Sequence, residues 1–159
     1  MLQENQIRFL ERAIEVARKG MQDGLGGPFG CVIVKDGEII AEGCNLVTST
    51  NDPTAHAEVV AIRQACGKLG THELTDCDVY ASCEPCPMCL GAVYWSRART
   101  VIYASTREDA AGVDFDDEFI YQEIMTEIRK RKIPFHHHPH PMASEVLSEW
   151  AANEKKKKY

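Results

Sequence analysis

The sequence predicts an α/β fold, helices layered on a sheet with at least some parallel strand pairing. Three observations predict it. Ile7, Leu10, Ile14, Ala17 and Met21 recur at steps of three and four, the mark of an amphipathic helix over about residues 3–21. Asp36-Gly37 sits between the apolar runs 29–34 and 39–42, a strong short hairpin signal. Beyond them, helix-like and strand-like stretches alternate, and parallel neighbours joined that way need helical crossovers.

Taken in order, the first helix ends at Gly24, Gly26, Gly27 and Pro28, and the hairpin follows. Residues 46–51 read as a loop. Asp52 has the character of an N-cap and Pro53 of a first helical residue, predicting a helix to about Gly70. Its buried side is expected to carry Val59, Val60, Ile62, Cys66 and Leu69. A strand over 77–82, a helix from Pro85/Pro87 to about Arg97 and a strand over 100–104 come next. Residues 107–115 read as a loop, 117–128 as a helix and 133–138 as an edge strand. A last helix over 142–155 sets Val146, Leu147 and Trp150 on one side. With no internal repeat or linker, residues 1–159 are expected to form a single domain.

Composition narrows the function classes. With 44% apolar and 26% charged residues, the chain is ordinary for a globular protein. No apolar run approaches the ~20 residues that span a bilayer. The first residues hold neither a basic region nor an apolar signal core, so a cytoplasmic location and no membrane partner are expected. A net charge of −6 argues against nucleic acid as a partner, the one basic cluster being Lys155-Lys156-Lys157-Lys158. Cysteines at 31, 44, 66, 77, 83, 86 and 89 make an odd count, better read as reduced thiols, some on metal, than as a disulfide framework.

Chemistry concentrates in two stretches, Pro53-Thr54-Ala55-His56-Ala57-Glu58 and Pro85-Cys86-Pro87-Met88-Cys89. Zinc takes nitrogen and thiolate ligands tetrahedrally, and a reactive site keeps three protein ligands with the fourth position open. His56, Cys86 and Cys89 supply three, leaving Glu58 as an acid/base group. Residues i and i+2 of a helix point about 200° apart, so His56 and Glu58 converge only off a helix end. Cys86 and Cys89, at i and i+3, share a face in a first turn, where the helix N-terminus favours thiolates. H-x-E followed by P-C-x-x-C resembles the pattern of zinc-dependent nucleobase deaminases. Glu58 is then expected to carry a proton from water to a ring nitrogen and on to the leaving amine.

Cys83 extends the run to C-x-x-C-x-x-C, the opening of an iron–sulfur pattern, but the fourth cysteine followed by proline is missing. Cys83 is therefore read as lining the site, and Cys31, Cys44, Cys66 and Cys77 as small core residues. His136-His137-His138-Pro139-His140 lacks flanking ligands at metal spacing and reads as surface histidine.

Beyond these motifs, Gly26-Gly27-Pro28-Phe29-Gly30, the stretch from Ser82 through Ala92, and Phe115-Asp116-Asp117-Glu118-Phe119-Ile120-Tyr121 resemble bacterial guanine deaminases of the cytidine-deaminase superfamily. The resemblance runs over nearly the whole chain. It implies a cytidine-deaminase-like three-layer fold, a mixed five-stranded sheet between helices, and a homodimer whose C-terminal segments, about residues 131–159, are exchanged. It implies one zinc ion per subunit and hydrolysis of guanine, a small-molecule purine, at C2. Carried over by motif, Asn45 hydrogen-bonds the purine, Phe29 packs on its ring, and Ala57 and Phe115 also face it. Asp117 relays protons near the amine, Trp95 stands at the pocket mouth, and Tyr159 of the partner closes it. Without the resemblance, Asn45 reads as a turn residue, Phe29 as core, Asp116-Asp117 as a helix cap, Trp95 as packing and the tail as a frayed end. A tRNA adenosine deaminase, another free-base deaminase, such as one acting on cytosine or an aminotriazine, and a zinc-bearing scaffold are the competing readings.

Overall fold

The computed structural model describes residues 2–159. Its backbone falls into two compact units, one running to Asp117 and one from Glu118 to Tyr159. In the first, α1 (Glu4–Gln22) precedes the hairpin of β1 (Gly30–Lys35) and β2 (Glu38–Cys44). A single turn, α2 (Val47–Thr50), leads to α3 (Ala57–Leu69), β3 (Cys77–Cys83), α4 (Pro87–Trp95), β4 (Thr100–Ser105) and α5 (Arg107–Ala111). The second unit holds α6 (Glu118–Met125), a 3-10 turn (Ile128–Lys130) and α7 (Pro141–Ala152).

The four strands form an open mixed sheet in the order β2-β1-β3-β4. Asp36 and Gly37 both take positive φ, 51° and 79°, the tight turn that matches strand twist and that the Asp-Gly signal predicts. β1 pairs antiparallel with β2 and β3, while β3 pairs parallel with β4. Alternation along β1 divides the core into two layers. Cys31 and Ile33 face the α3 side, packed with Ala57, Ala61, Ala65, Val79 and Val93. Val32 and Val34 face the α1 side with Ala13 and Tyr80.

The helices lie closer to the sheet than their large apolar residues allow. Ile7 and Met21 of the expected stripe are exposed, and the buried positions of α1 are Ala13, Ala17 and Gly20, with Phe9, Leu10 and Val16 beside them. On α3 the expected Val59 and Val60 are only half-buried, and Ala57, Ala61 and Ala65 line the seam instead. Small side chains win these positions because a strand glycine meets the helix backbone directly. A Cβ on Gly43 would lie 2.4 Å from the Ala57 carbonyl oxygen and 2.7 Å from the Ala61 nitrogen.

Five further expectations are corrected. The α3 helix begins at Ala57, not Pro53: Asp52 accepts from the N–H and hydroxyl of Thr54, closing a turn in place of capping a helix. Residues 47–50 form a turn of helix, and 107–111 form α5, held by a capping box between Thr106 and Asp109. Among the described residues the sheet has four strands, not five. Residues 133–138 adopt no strand, and none of the four described strands pairs with them. Residues 131–135 instead fold back within the second unit, where the Arg131 guanidinium donates to the Thr126 carbonyl and stacks over Phe135. No helix among the described residues is long and apolar enough to cross a membrane.

Gly43→Ala tests the seam. The added methyl meets backbone that has no rotamer to yield, so a loss of about 1–3 kcal/mol is expected in urea unfolding. An unchanged midpoint would mean that α3 is free to shift.

Candidate active site

Two helix starts meet at one point. His56 is the N-cap residue of α3, its backbone extended at φ −68°, ψ 155°, and Cys86 is the N-cap residue of α4 at φ −62°, ψ 169°. Pro87 follows at the first helical position, where its missing N–H costs nothing. The His56 side chain makes no bond to its own helix, whereas the Cys86 sulfur is bonded by Cys89 of α4. His56 Nδ1 lies 3.5 Å from the Cys86 sulfur and 3.6 Å from the Cys89 sulfur. Because His56 is outside the helix and Glu58 inside it, the two side chains converge despite their i, i+2 spacing. Cap and third helical residue are neighbours in any first turn, which brings Cys86 and Cys89 together.

The donor atoms of His56, Cys86 and Cys89 all lie within 4.8 Å of one another, and Glu58 is not in that group. Tetrahedral zinc with N and S ligands at about 2.05 and 2.3 Å needs an N···S separation of about 3.55 Å. The two observed separations fit it. The donor chemistry fits too. The Cys86 thiol is pulled down to about 4, first by a hydrogen bond from Cys89 and then by His56, while the shared proton is retained on Cys89. The site is thus ready to exchange that proton for a cation.

Glu58 is 7% exposed, and its Oε2 accepts from the Cys89 thiol at 3.3 Å. Burial raises its carboxyl above the usual range. Cys31 is buried, its thiol pushed well up by burial and by the Glu58 charge. Cys83 stays outside the donor group, as expected: its thiol donates to the Thr106 carbonyl, and burial raises it to about 11. Cys77 is buried, Cys44 and Cys66 are half-buried, and all seven cysteines are free thiols.

The loop that leads to His56 carries or packs against further expected site residues. Asn45 is 5% exposed, and its Oδ1 accepts from the N–H groups of Gly27 at 3.3 Å and Val47 at 3.1 Å. Two main-chain donors determine which end of the amide is oxygen, so the NH₂ end is turned away from them. A Cβ on Gly26 would lie 2.3 Å from that Oδ1, which explains the glycine. Phe29 and Phe115 pack edge to face, centroids 4.9 Å apart, over Gly27. The Leu46 N–H donates to the Ala55 carbonyl, closing the loop that carries Asn45 at one end and His56 at the other.

Residues 3–105 match the family model for the cytidine and deoxycytidylate deaminase zinc-binding region. The chain belongs to this family. It is 60% identical over 132 residues to guanine deaminase of Bacillus subtilis, covering 83% of this chain and 85% of that protein. A tRNA-specific adenosine deaminase of Aquifex aeolicus is 36% identical over 142 residues, covering 89% of this chain and 91% of that protein. The crystal structure of the Bacillus subtilis guanine deaminase superposes with a TM-score of 0.94 at 53% identity, covering 100% of this chain and 99% of the other.

The remaining expected site residues of this deaminase are spread more widely. Ala57 is buried in the first turn of α3, against Gly43. Asp117 is half-buried, its carboxyl raised by burial and tempered by the Arg107 charge, with Cys86 near enough to be felt. Trp95 stands at the far end of α4 from Cys86, about 13 Å along the axis, and is 68% exposed. Tyr159 ends the second unit, 69% exposed. Two features went unread in the sequence. Gly26 as the seat of Asn45 has no local signal, whereas the Thr106-x-x-Asp109 capping box that builds α5 under Cys83 is legible.

Cys86→Ser and Cys89→Ser are each expected to leave zinc far below one ion per purified chain, by atomic absorption. Chelation of the wild type should lower its Tm, since an ion bound only by the folded state stabilises it by mass action. Full zinc in either variant would remove that sulfur from the ligand set.

Proposed function

We propose that the chain hydrolyses guanine to xanthine and ammonia with zinc at His56, Cys86 and Cys89. The observation that carries this reading is the buried Glu58 carboxyl beside, but outside, the three-donor group. A structural zinc site is closed by four protein ligands and has no use for such a carboxyl. Guanine as the substrate rests on the 60% identity to a guanine deaminase over most of both chains. The reading as a tRNA adenosine deaminase has the 36% identical relative behind it, but a chain of net charge −6 is poorly suited to holding an RNA strand.

Held by His56, Cys86 and Cys89, zinc would supply Lewis acidity that makes water easier to deprotonate near neutral pH. Glu58 takes a proton from the attacking water and gives it to the ring nitrogen beside the amine-bearing carbon. Glu58 then takes the proton of the hydroxyl added at C2 and passes it to the amine, so that the C2–N bond breaks, ammonia leaves and the water oxygen remains as the C2 carbonyl. Asn45 presents its NH₂ to a ring acceptor, because its oxygen is already engaged by Gly27 and Val47. The main-chain N–H of Ala57, in a first turn where such groups lack intrahelical partners, serves as a second donor. Phe29 and Phe115 face the ring, and Asp117 relays protons near the departing amine.

The working form is a homodimer acting in cytoplasmic purine catabolism, each subunit one deaminase domain, with C-terminal segments exchanged and the partner's tail closing the pocket. Three features support the dimer. The β4 edge of the sheet is open. Leu90, Tyr94 and Trp95 of α4 are exposed. The second unit buries no residue of its own, leaving Val146, Leu147 and Trp150 of α7 in solvent. On this reading Trp95 lies in the contact between subunits and Tyr159 reaches the other subunit's site. Excluding water there strengthens electrostatics around the reacting atoms, and a lid restricts substrates to free bases.

Glu58→Gln is expected to keep full zinc and lose guanine turnover by about 10³-fold, the scale of a lost general acid–base group. An active Gln variant would take Glu58 out of its role. Across guanine, adenine, cytosine and tRNA, ammonia release is expected with guanine. Inosine in tRNA, with salt-sensitive binding, would favour the other reading. Deleting residues 155–159 should leave zinc intact and cut turnover at least about tenfold, and an undiminished rate would deny the tail a part in closure.

A further inference from the structure

The turn that precedes the histidine ligand is held by a side chain with no assigned role. Asp52 Oδ1 accepts from both the Thr54 N–H at 2.8 Å and the Thr54 hydroxyl at 2.7 Å. Its other oxygen, Oδ2, lies 3.7 Å from the guanidinium of Arg63, one turn and more along α3. Main-chain bonds continue from there. The Ala55 N–H donates to the Asp52 carbonyl at 3.1 Å, the His56 N–H to the Thr54 carbonyl at 2.8 Å, and the Asp52 N–H back to Val47 at 3.2 Å.

These bonds convert 46–55 into a closed loop whose two ends carry Asn45 and His56, joined at the base by the Leu46 N–H to Ala55 bond. His56 needs such support more than an ordinary N-cap residue. A capping side chain is anchored by the N–H groups of its own helix, but the His56 imidazole makes no such bond, because it is turned to the two sulfurs. Its position along α3 therefore depends on the backbone that delivers it. The tight turn at Thr54 aims that backbone, and only Asp52 holds Thr54 from the side-chain direction among the contacts of the loop.

We propose that Asp52 is a positioning residue for the zinc ligand His56, acting through its two hydrogen bonds to Thr54. The proposal rests on the reading of His56, Cys86 and Cys89 as the zinc site. The part that matters is an acceptor oxygen at Thr54, not the charge facing Arg63, because a pair this exposed and this long contributes little. Outer partners of metal ligands change affinity by about 10- to 100-fold. Since Asp52 acts through backbone, a loss near the lower end is expected.

The test measures zinc affinity by chelator competition, and the visible spectrum of the cobalt-substituted protein, in the full chain. Asp52→Ala should weaken zinc about tenfold and alter the cobalt d–d bands, while Asp52→Asn and Arg63→Met stay near the wild type. If Asp52→Ala does not fold, Thr54→Val, which removes one of the two bonds, should show a smaller change of the same sign. A purely structural role would lower the metal-free Tm and leave the cobalt spectrum unmoved, which overturns the proposal. So does an Asp52→Asn variant as impaired as the alanine one. A wild type that binds no zinc overturns the metal reading and the proposal together. Tight zinc in both wild type and Asp52→Ala overturns the proposal alone.

Discussion

Two helix N-termini converging on one small volume are the constraint from which the rest of the molecule follows. Each places its cap residue, His56 or Cys86, where the positive end of the peptide dipoles favours sulfur anions and where a side chain leaves the helix instead of running along its flank. That geometry reconciles an i, i+2 pair with a shared target. It also explains why the cap positions, normally given to serine or aspartate, hold metal donors here.

Holding two helix ends in register to within a few tenths of an ångström requires stiff backing, and the small-residue seams provide it. Gly43 under Ala57 and Ala61 sets the height of α3 over the sheet, and the α1 face is sealed in the same way by Ala13 and Ala17. The second unit is built differently. It has helices with apolar stripes but no buried residue, so its side chains have little to set their positions from within.

Much of this was legible in the residues. Period and turn chemistry located every strand of the sheet, and the two motifs, through the nucleobase-deaminase pattern they resemble, singled out the three donors that the structure brings together and set Glu58 apart from them. What was not legible has physical reasons. Asp52 and Pro53 form the pattern of a helix start, but the same carboxylate serves a two-residue turn equally well, and only tertiary context chooses. Large apolar residues such as Ile7, Val59 and Val60 dominate a periodicity reading, yet a seam closed by glycine admits only alanine. An edge strand over 133–138 needs a neighbour to pair with, which no property of its own residues supplies. The seat of Asn45 on Gly26 depends on two segments nineteen positions apart, beyond the reach of any local pattern.

The separation between the three-donor group and the loop residues proposed to face the base has a corollary. Donors for the ion hang on helix ends backed by seams that tolerate almost no substitution, whereas Phe29, Phe115 and Asn45 belong to loops packed on one another. On the proposed reading, exchanging those loop residues changes which heterocycle is accepted and leaves the donor group and Glu58 in place. Innovation in diet and constancy in chemistry are, on this architecture, housed in different materials.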